Sequence, residues 1–193
     1  MKRTLKLVLY YFGYQLAFTV VASVISVVLA HLGMVDKDVA ILNATAIALL
    51  LSGIMMGWHL IHFKYITFGW KSFGEVPAKS LWLSIPFILA SMVFINLCSE
   101  FIDLPNWMEN DFFAMSRNLF GILSVAVMAP VVEEFLFRGA IEGHLLRQGK
   151  KPWAAIFISA LVFGLIHIIP AQVPFAFAIG LVFGWLYYRT GSV

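Results

Sequence analysis

The sequence predicts an all-α integral membrane protein with about six transmembrane helices and its N-terminus inside. Three observations predict it. Apolar residues make up 62% of the 193 positions and charged residues only 12%, with a mean hydropathy of +0.92; a soluble fold of this size leaves too much surface wet to hide them. Charge-free runs recur at the length that crosses a bilayer. The basic residues between those runs collect on alternate segments, as an inner side requires. The composition excludes a cytosolic enzyme, a nucleic-acid-binding module and a disordered chain, so the partner environment is the lipid bilayer. The single cysteine, Cys98, excludes an internal disulfide framework and a thiolate zinc cluster, and it is expected to pack as a small apolar residue.

The elements follow in order. The first charge-free run spans Leu7–Val35 and reads as an uncleaved first span, because its apolar stretch is long and no small-residue cleavage signal stands out. Val39–Phe63 is the second and Ser80–Ser99 the third. Between them, Tyr65 to Lys79, with Trp70, Phe73 and two lysines, reads as lying along the inner surface. A fourth run begins after Arg117 and passes Met128 before it meets Glu133 and Glu134. From Pro152 to Tyr188 no charged residue occurs, and Pro170 and Pro174 divide that stretch into two helices. Inner segments then hold Lys2, Arg3, Lys6, Lys64, Lys71, Lys79, Arg147, Lys150, Lys151 and Arg189. Outer segments hold Lys37, Arg117 and most of the acids, among them Asp36, Asp38, Glu100, Asp103, Glu109 and Asp111. Trp82, Trp107, Trp153 and Tyr187-Tyr188 fit interfacial belts. No internal repeat is apparent, and residues 1–193 read as a single transmembrane domain.

Ionisable residues inside apolar spans cost several kcal/mol and so mark sites. Glu134 and Arg138 stand at i and i+4 on a helix and can pair. Glu133 is rotated by about 100° from Glu134, which leaves it available to a proton or a water. The next helix carries Phe163-Gly164-Leu165-Ile166-His167. The two helices meet at a turn centred near Lys150, with Glu133 17 positions before it and His167 17 after. If both helices run unbroken to the turn, carboxylate and imidazole share a depth, where together they bind a metal or polarise a water. His31, His59, His62 and His144 read as interfacial residues, and Asn96 and Asn118 lack motif context.

Glu-Glu-x-x-x-Arg at 133–138, followed by Phe-x-x-x-His at 163–167, resembles the CPBP family of intramembrane proteases, the CAAX proteases and bacteriocin-processing enzymes also called Abi. The tail Gly180-Leu181-Val182-Phe183-Gly184-Trp185-Leu186-Tyr187-Tyr188-Arg189-Thr190-Gly191-Ser192 is similar to the stretch after the second motif in bacterial members. The resemblance covers roughly residues 119–193. It implies Glu133 as general base on the attacking water and His167 as the group that holds or polarises it. A divalent metal such as zinc is an open question; Glu133 and His167 would be its ligands, fewer than the three usual for catalytic zinc. Glu134 and Arg138 would support the site, Arg138 also as a substrate contact, and Phe163 would pack beside His167. The implied substrate is a peptide or a prenylated, membrane-associated protein, with bacteriocin or signal-peptide processing as variants, in a multi-pass protein of a prokaryotic cell membrane.

Family members continue past Gly-Ser into a helix bearing a second His and an Asn, which would stabilise an oxyanion. Val193 precedes any such helix, so the motif region is expected to continue in full-length relatives, and residues 1–193 alone are expected to turn over little substrate. Two other function classes fit the same residues. One is a non-catalytic membrane immunity or regulatory protein on the same scaffold, favoured by the missing third motif. The other is a small proton-coupled transporter, in which paired carboxylates and a histidine relay protons; it predicts symmetric halves, which the sequence does not display.

Overall fold

The computed structural model describes residues 2–66, 78–101 and 104–193, and among these it is all-helical, without strands. The expected inner-surface segment, with Trp70, Lys71 and Phe73, lies mostly outside the described residues, as does Asp103. We number the helices α1 (Lys2–His31), α2 (Lys37–His62), α3 (Ala78–Ser99), α4 (Glu109–Met115), α5 (Leu119–Arg147), α6 (Pro152–Leu165) and α7 (Gln172–Thr190). The division of the charge-free stretch into α6 and α7 is as read, and α4 is an element the hydropathy pattern did not announce.

Among the described residues, α1, α2 and α5 are long and apolar enough to cross a membrane. The Trp82–Cys98 stretch of α3 and the whole of α6 are apolar but shorter. The 14 residues of α6 reach only about 21 Å at helical rise, because the chain turns before His167.

The chain forms two compact units. The first comprises Met1–Lys64 and Met108–Leu136. In it α1 lies along α2, and α2 also packs on the first part of α5. Asp36 caps α2 by accepting from the Asp38 and Val39 amides at 2.9 and 3.3 Å, and Asn118 caps α5 by accepting from the Phe120 amide at 2.8 Å. These side chains satisfy amides that a helix start leaves without partners. Asn118 also donates to Asn43. His59, expected at an interface, is instead only 4% exposed and meets the Tyr14 hydroxyl at 2.8 Å. It faces α1 rather than the headgroups, which hydropathy alone could not distinguish.

The second unit comprises Tyr65–Trp107 and Phe137–Val193. Here α6 packs along α7, and α3 reaches α7 through Phe87 and Trp185, 5.9 Å apart. Small residues let α6 and α7 approach closely: a Cβ on Gly180 would stand 3.2 Å from the Ala160 Cα. The turn between α5 and α6 falls where the sequence places it, with Gly149 at φ +76° and Pro152 opening α6. Cys98 is exposed rather than packed.

α5 is not a regular α-helix. It alternates with π-helix over Ile122–Met128 and Phe135–Glu142. Each has a local cause. Pro130 brings no amide to the ladder, and the neighbouring Ala129 amide reaches back five residues to the Ser124 carbonyl. In the second stretch the Phe137 carbonyl accepts from Ser159 Oγ of α6 at 2.9 Å. π-Helical irregularities within α-helices are frequent at functional sites.

Candidate active site

Glu133 and Glu134 end the α-helical segment Ala129–Glu134 of the first unit, and both are half-buried. Glu133 lies within electrostatic reach of Tyr11 on α1. No sequence motif pointed to Tyr11.

In the second unit, Arg138, Phe163 and His167 come together. The Arg138 side chain is 1% exposed. Its guanidinium lies 4.7 Å from the Phe163 ring centre and 5.5 Å from that of Phe183, within cation–π range. Its Nη2 donates to the Gly180 carbonyl at 3.3 Å. Phe163 is edge-on to Phe137 at 5.0 Å and to the His167 ring at 4.9 Å. Arg138 is thus enclosed by aromatic rings and by the α7 backbone.

His167 does not lie on a helix, as the sequence reading expected. α6 ends at Leu165, and His167 begins a tight turn in which the Ile169 amide donates to the His167 carbonyl at 2.6 Å. Ile168, between them, has φ +62°. A β-branched residue in the left-handed region is strained by about 1–3 kcal/mol, and the i to i+2 hydrogen bond is that of a γ-turn, rare in this form. The equal-distance ruler therefore fails in its premise: π-helical stretches put more residues into each turn of α5, and His167 lies past the end of α6.

The turn gives the imidazole a defined orientation. Nδ1–H of His167 donates to the Phe163 carbonyl at 2.8 Å, one of the acceptors that a helix C-terminus leaves open. In the neutral ring the proton then sits on Nδ1 and Nε2 presents its lone pair. The half-buried ring can thus accept a hydrogen bond from a water without first losing a proton. Beside the turn opens an apolar groove of about 580 Å³, lined by Leu161, Leu165, Ile168, Pro170, Val173 and Phe177 among others.

Among the described residues no three His, Cys, Asp or Glu side chains converge as a metal site. Glu133 and His167 alone fall one short of the donor set of a catalytic zinc, so no step below is routed through a metal. The residue that motif reading missed outright is Glu142, which is fully buried at 0% exposure. Its signal was present, since it follows Arg138 by four positions as Arg138 follows Glu134.

All-helical among the described residues, with spans of membrane length and ionisable groups enclosed among apolar side chains, the chain is a membrane protein. Residues 115–193 match the family model described as type II CAAX prenyl endopeptidase Rce1-like, a protease family, which bears out the resemblance carried by the two motifs. No curated protein and no solved structure matches the chain.

Proposed function

We propose that the protein is an intramembrane endopeptidase of the CAAX type, hydrolysing a peptide bond near the membrane with a water activated by Glu133 and His167. The observation that carries this reading is the His167 ring, locked by its Nδ1–H on the Phe163 carbonyl at 2.8 Å with Nε2 open, within a segment that matches a prenyl endopeptidase model. In this reading Nε2 holds the water, and the Glu133 carboxylate takes its proton as the oxygen attacks the scissile carbonyl carbon. Collapse of the tetrahedral intermediate breaks the C–N bond, and Glu133 returns the proton to the departing amine. Glu134 and Arg138 support the site, and Phe163 orients the imidazole. The apolar groove beside Ile168 receives the hydrocarbon part of a prenylated or membrane-associated substrate. In this reading the chain makes six spans, with residues 2 and 193 on the inner side of a cell membrane.

The test uses the full-length protein in proteoliposomes with a farnesylated peptide ending in Cys-aliphatic-aliphatic-X. Mass spectrometry should detect release of the C-terminal tripeptide by the wild type and none by His167→Ala. Release at the wild-type rate by His167→Ala would sink the reading.

A further inference from the structure

Glu142 is the acidic group to which the motifs give no role. It closes the π-helical stretch Phe135–Glu142, four residues after Arg138, and both side chains are sealed from the surface at 0% and 1% exposure. Two separate approaches place their charged ends against α7. Arg138 Nη2 donates to the Gly180 carbonyl at 3.3 Å. A Cβ built on Gly184 would stand 2.7 Å from Glu142 Oε2. In an α-helix the carbonyl of one residue accepts from the amide four residues on, so the Gly180 oxygen and the Gly184 backbone mark one spot on α7. Guanidinium and carboxylate each reach this same turn of α7. The register continues, since a Cβ on Gly143 would lie 2.5 Å from the Tyr187 hydroxyl and 3.0 Å from Arg147 Nη1. Positions 138, 142 and 143 of α5 thus face 180, 184 and 187 of α7 in matched order.

We infer that Glu142 is the counter-ion and positioning residue of Arg138, and that Gly184 is the notch that admits its carboxylate. An enclosed guanidinium and an enclosed carboxylate are each costly alone and compatible together. The Gly180-x-x-x-Gly184 spacing, in other membrane helices a surface for pairing two chains, is here occupied from within. Ala160 and Phe163 lie against Gly180, and the Glu142 carboxylate lies against Gly184. Arg138 in turn lies 4.7 Å from the ring of Phe163, whose carbonyl holds His167. Glu142 therefore acts on the imidazole through Arg138 and Phe163. That last link rests on the endopeptidase reading, whereas the pairing itself does not.

Thermal unfolding of the full-length protein in detergent tests the pairing. Arg138→Met and Glu142→Met should each lower the midpoint by on the order of 10 °C, because each strands the other charge. The double variant should recover most of that loss. Losses that add in the double variant would overturn the pairing. If neither single variant folds, a folded double variant supports it and an unfolded one overturns it. Gly184→Ala, which keeps every charge but pushes on the carboxylate, tests the positioning. Carbethoxylation of His167 by diethyl pyrocarbonate, followed by mass spectrometry, should change several-fold in rate in this variant, with exposed His31 as the unchanged control. An unchanged rate at His167 would overturn the positioning role. A coupled pair in a protein that cleaves no prenylated peptide would leave the pairing standing and remove only the endopeptidase reading.

Discussion

α1 and the second π-helical stretch of α5 are both parts of helices long and apolar enough to span a bilayer, yet they are built oppositely. α1 buries only Thr4, Leu7 and Ser26, and most of its surface, including Leu16, Val20 and Val24, is exposed. Its one buried hydroxyl beyond the first two turns, Ser26, bonds within its own helix, to the Ser23 carbonyl at 2.9 Å. In Phe135–Glu142, by contrast, the residues from Leu136 onward are all buried, and two of them are charged. The backbone there leaves α-helical geometry, and its Phe137 carbonyl is held by another helix. Apolarity places a helix in the membrane; enclosed polar groups and an irregular ladder show where it does something else.

The largest expected effect sharpens the first half of that contrast. Reporter fusions after Met34, Lys71, Asn106 and Lys150 should read out, in, out and in, following the basic residues of the loops. An outside reading after Lys71 would break the topology on which the spans rest. Next, Arg138→Met should cost roughly 3–5 kcal/mol, because it leaves a buried carboxylate alone. Val24→Ala on the exposed face of α1 should stay within about 0.5 kcal/mol. Denaturation in detergent compares the two, and similar losses would erase the distinction between the regions. A finer version uses two serines. Ser159→Ala removes the donor to the Phe137 carbonyl and should cost about 1 kcal/mol, whereas Ser26→Ala loses only a bond inside its own helix and should be nearly neutral. The smallest effect is at Ile168. Ile168→Gly relieves its φ of +62° and should leave stability unchanged or raise it by under about 1 kcal/mol. A clear loss of stability would mean that the isoleucine side chain, not the turn, holds this segment.

How much of this was legible in the sequence depends on the kind of signal. The long apolar helices, the division between α6 and α7, and the turn at Gly149 were legible, because hydropathy and Gly/Pro punctuation report them locally. Arg138 and Phe163 beside His167 were legible only through a motif. The π-helical stretches were not, because they depend on where Ser159 presents its hydroxyl and on how the ladder repairs itself around Pro130. The same irregularity defeats the ruler that set Glu133 level with His167. His59 was misread because a histidine near a span end looks interfacial until Tyr14 of a different helix is seen to meet it. Glu142 was passed over, although its spacing from Arg138 was in plain view.

The central claim is that the ionisable residues enclosed in the apolar spans do hydrolytic chemistry, with Glu133 as the base. Glu133→Gln in the full-length protein tests it most directly, since it changes one oxygen for an NH2 group and nearly preserves shape. The account predicts wild-type expression and unfolding midpoint, with release of the C-terminal tripeptide from a farnesylated peptide reduced by at least about 10²-fold, as expected for loss of a general base. A Glu133→Gln protein that releases the tripeptide at the wild-type rate would contradict it.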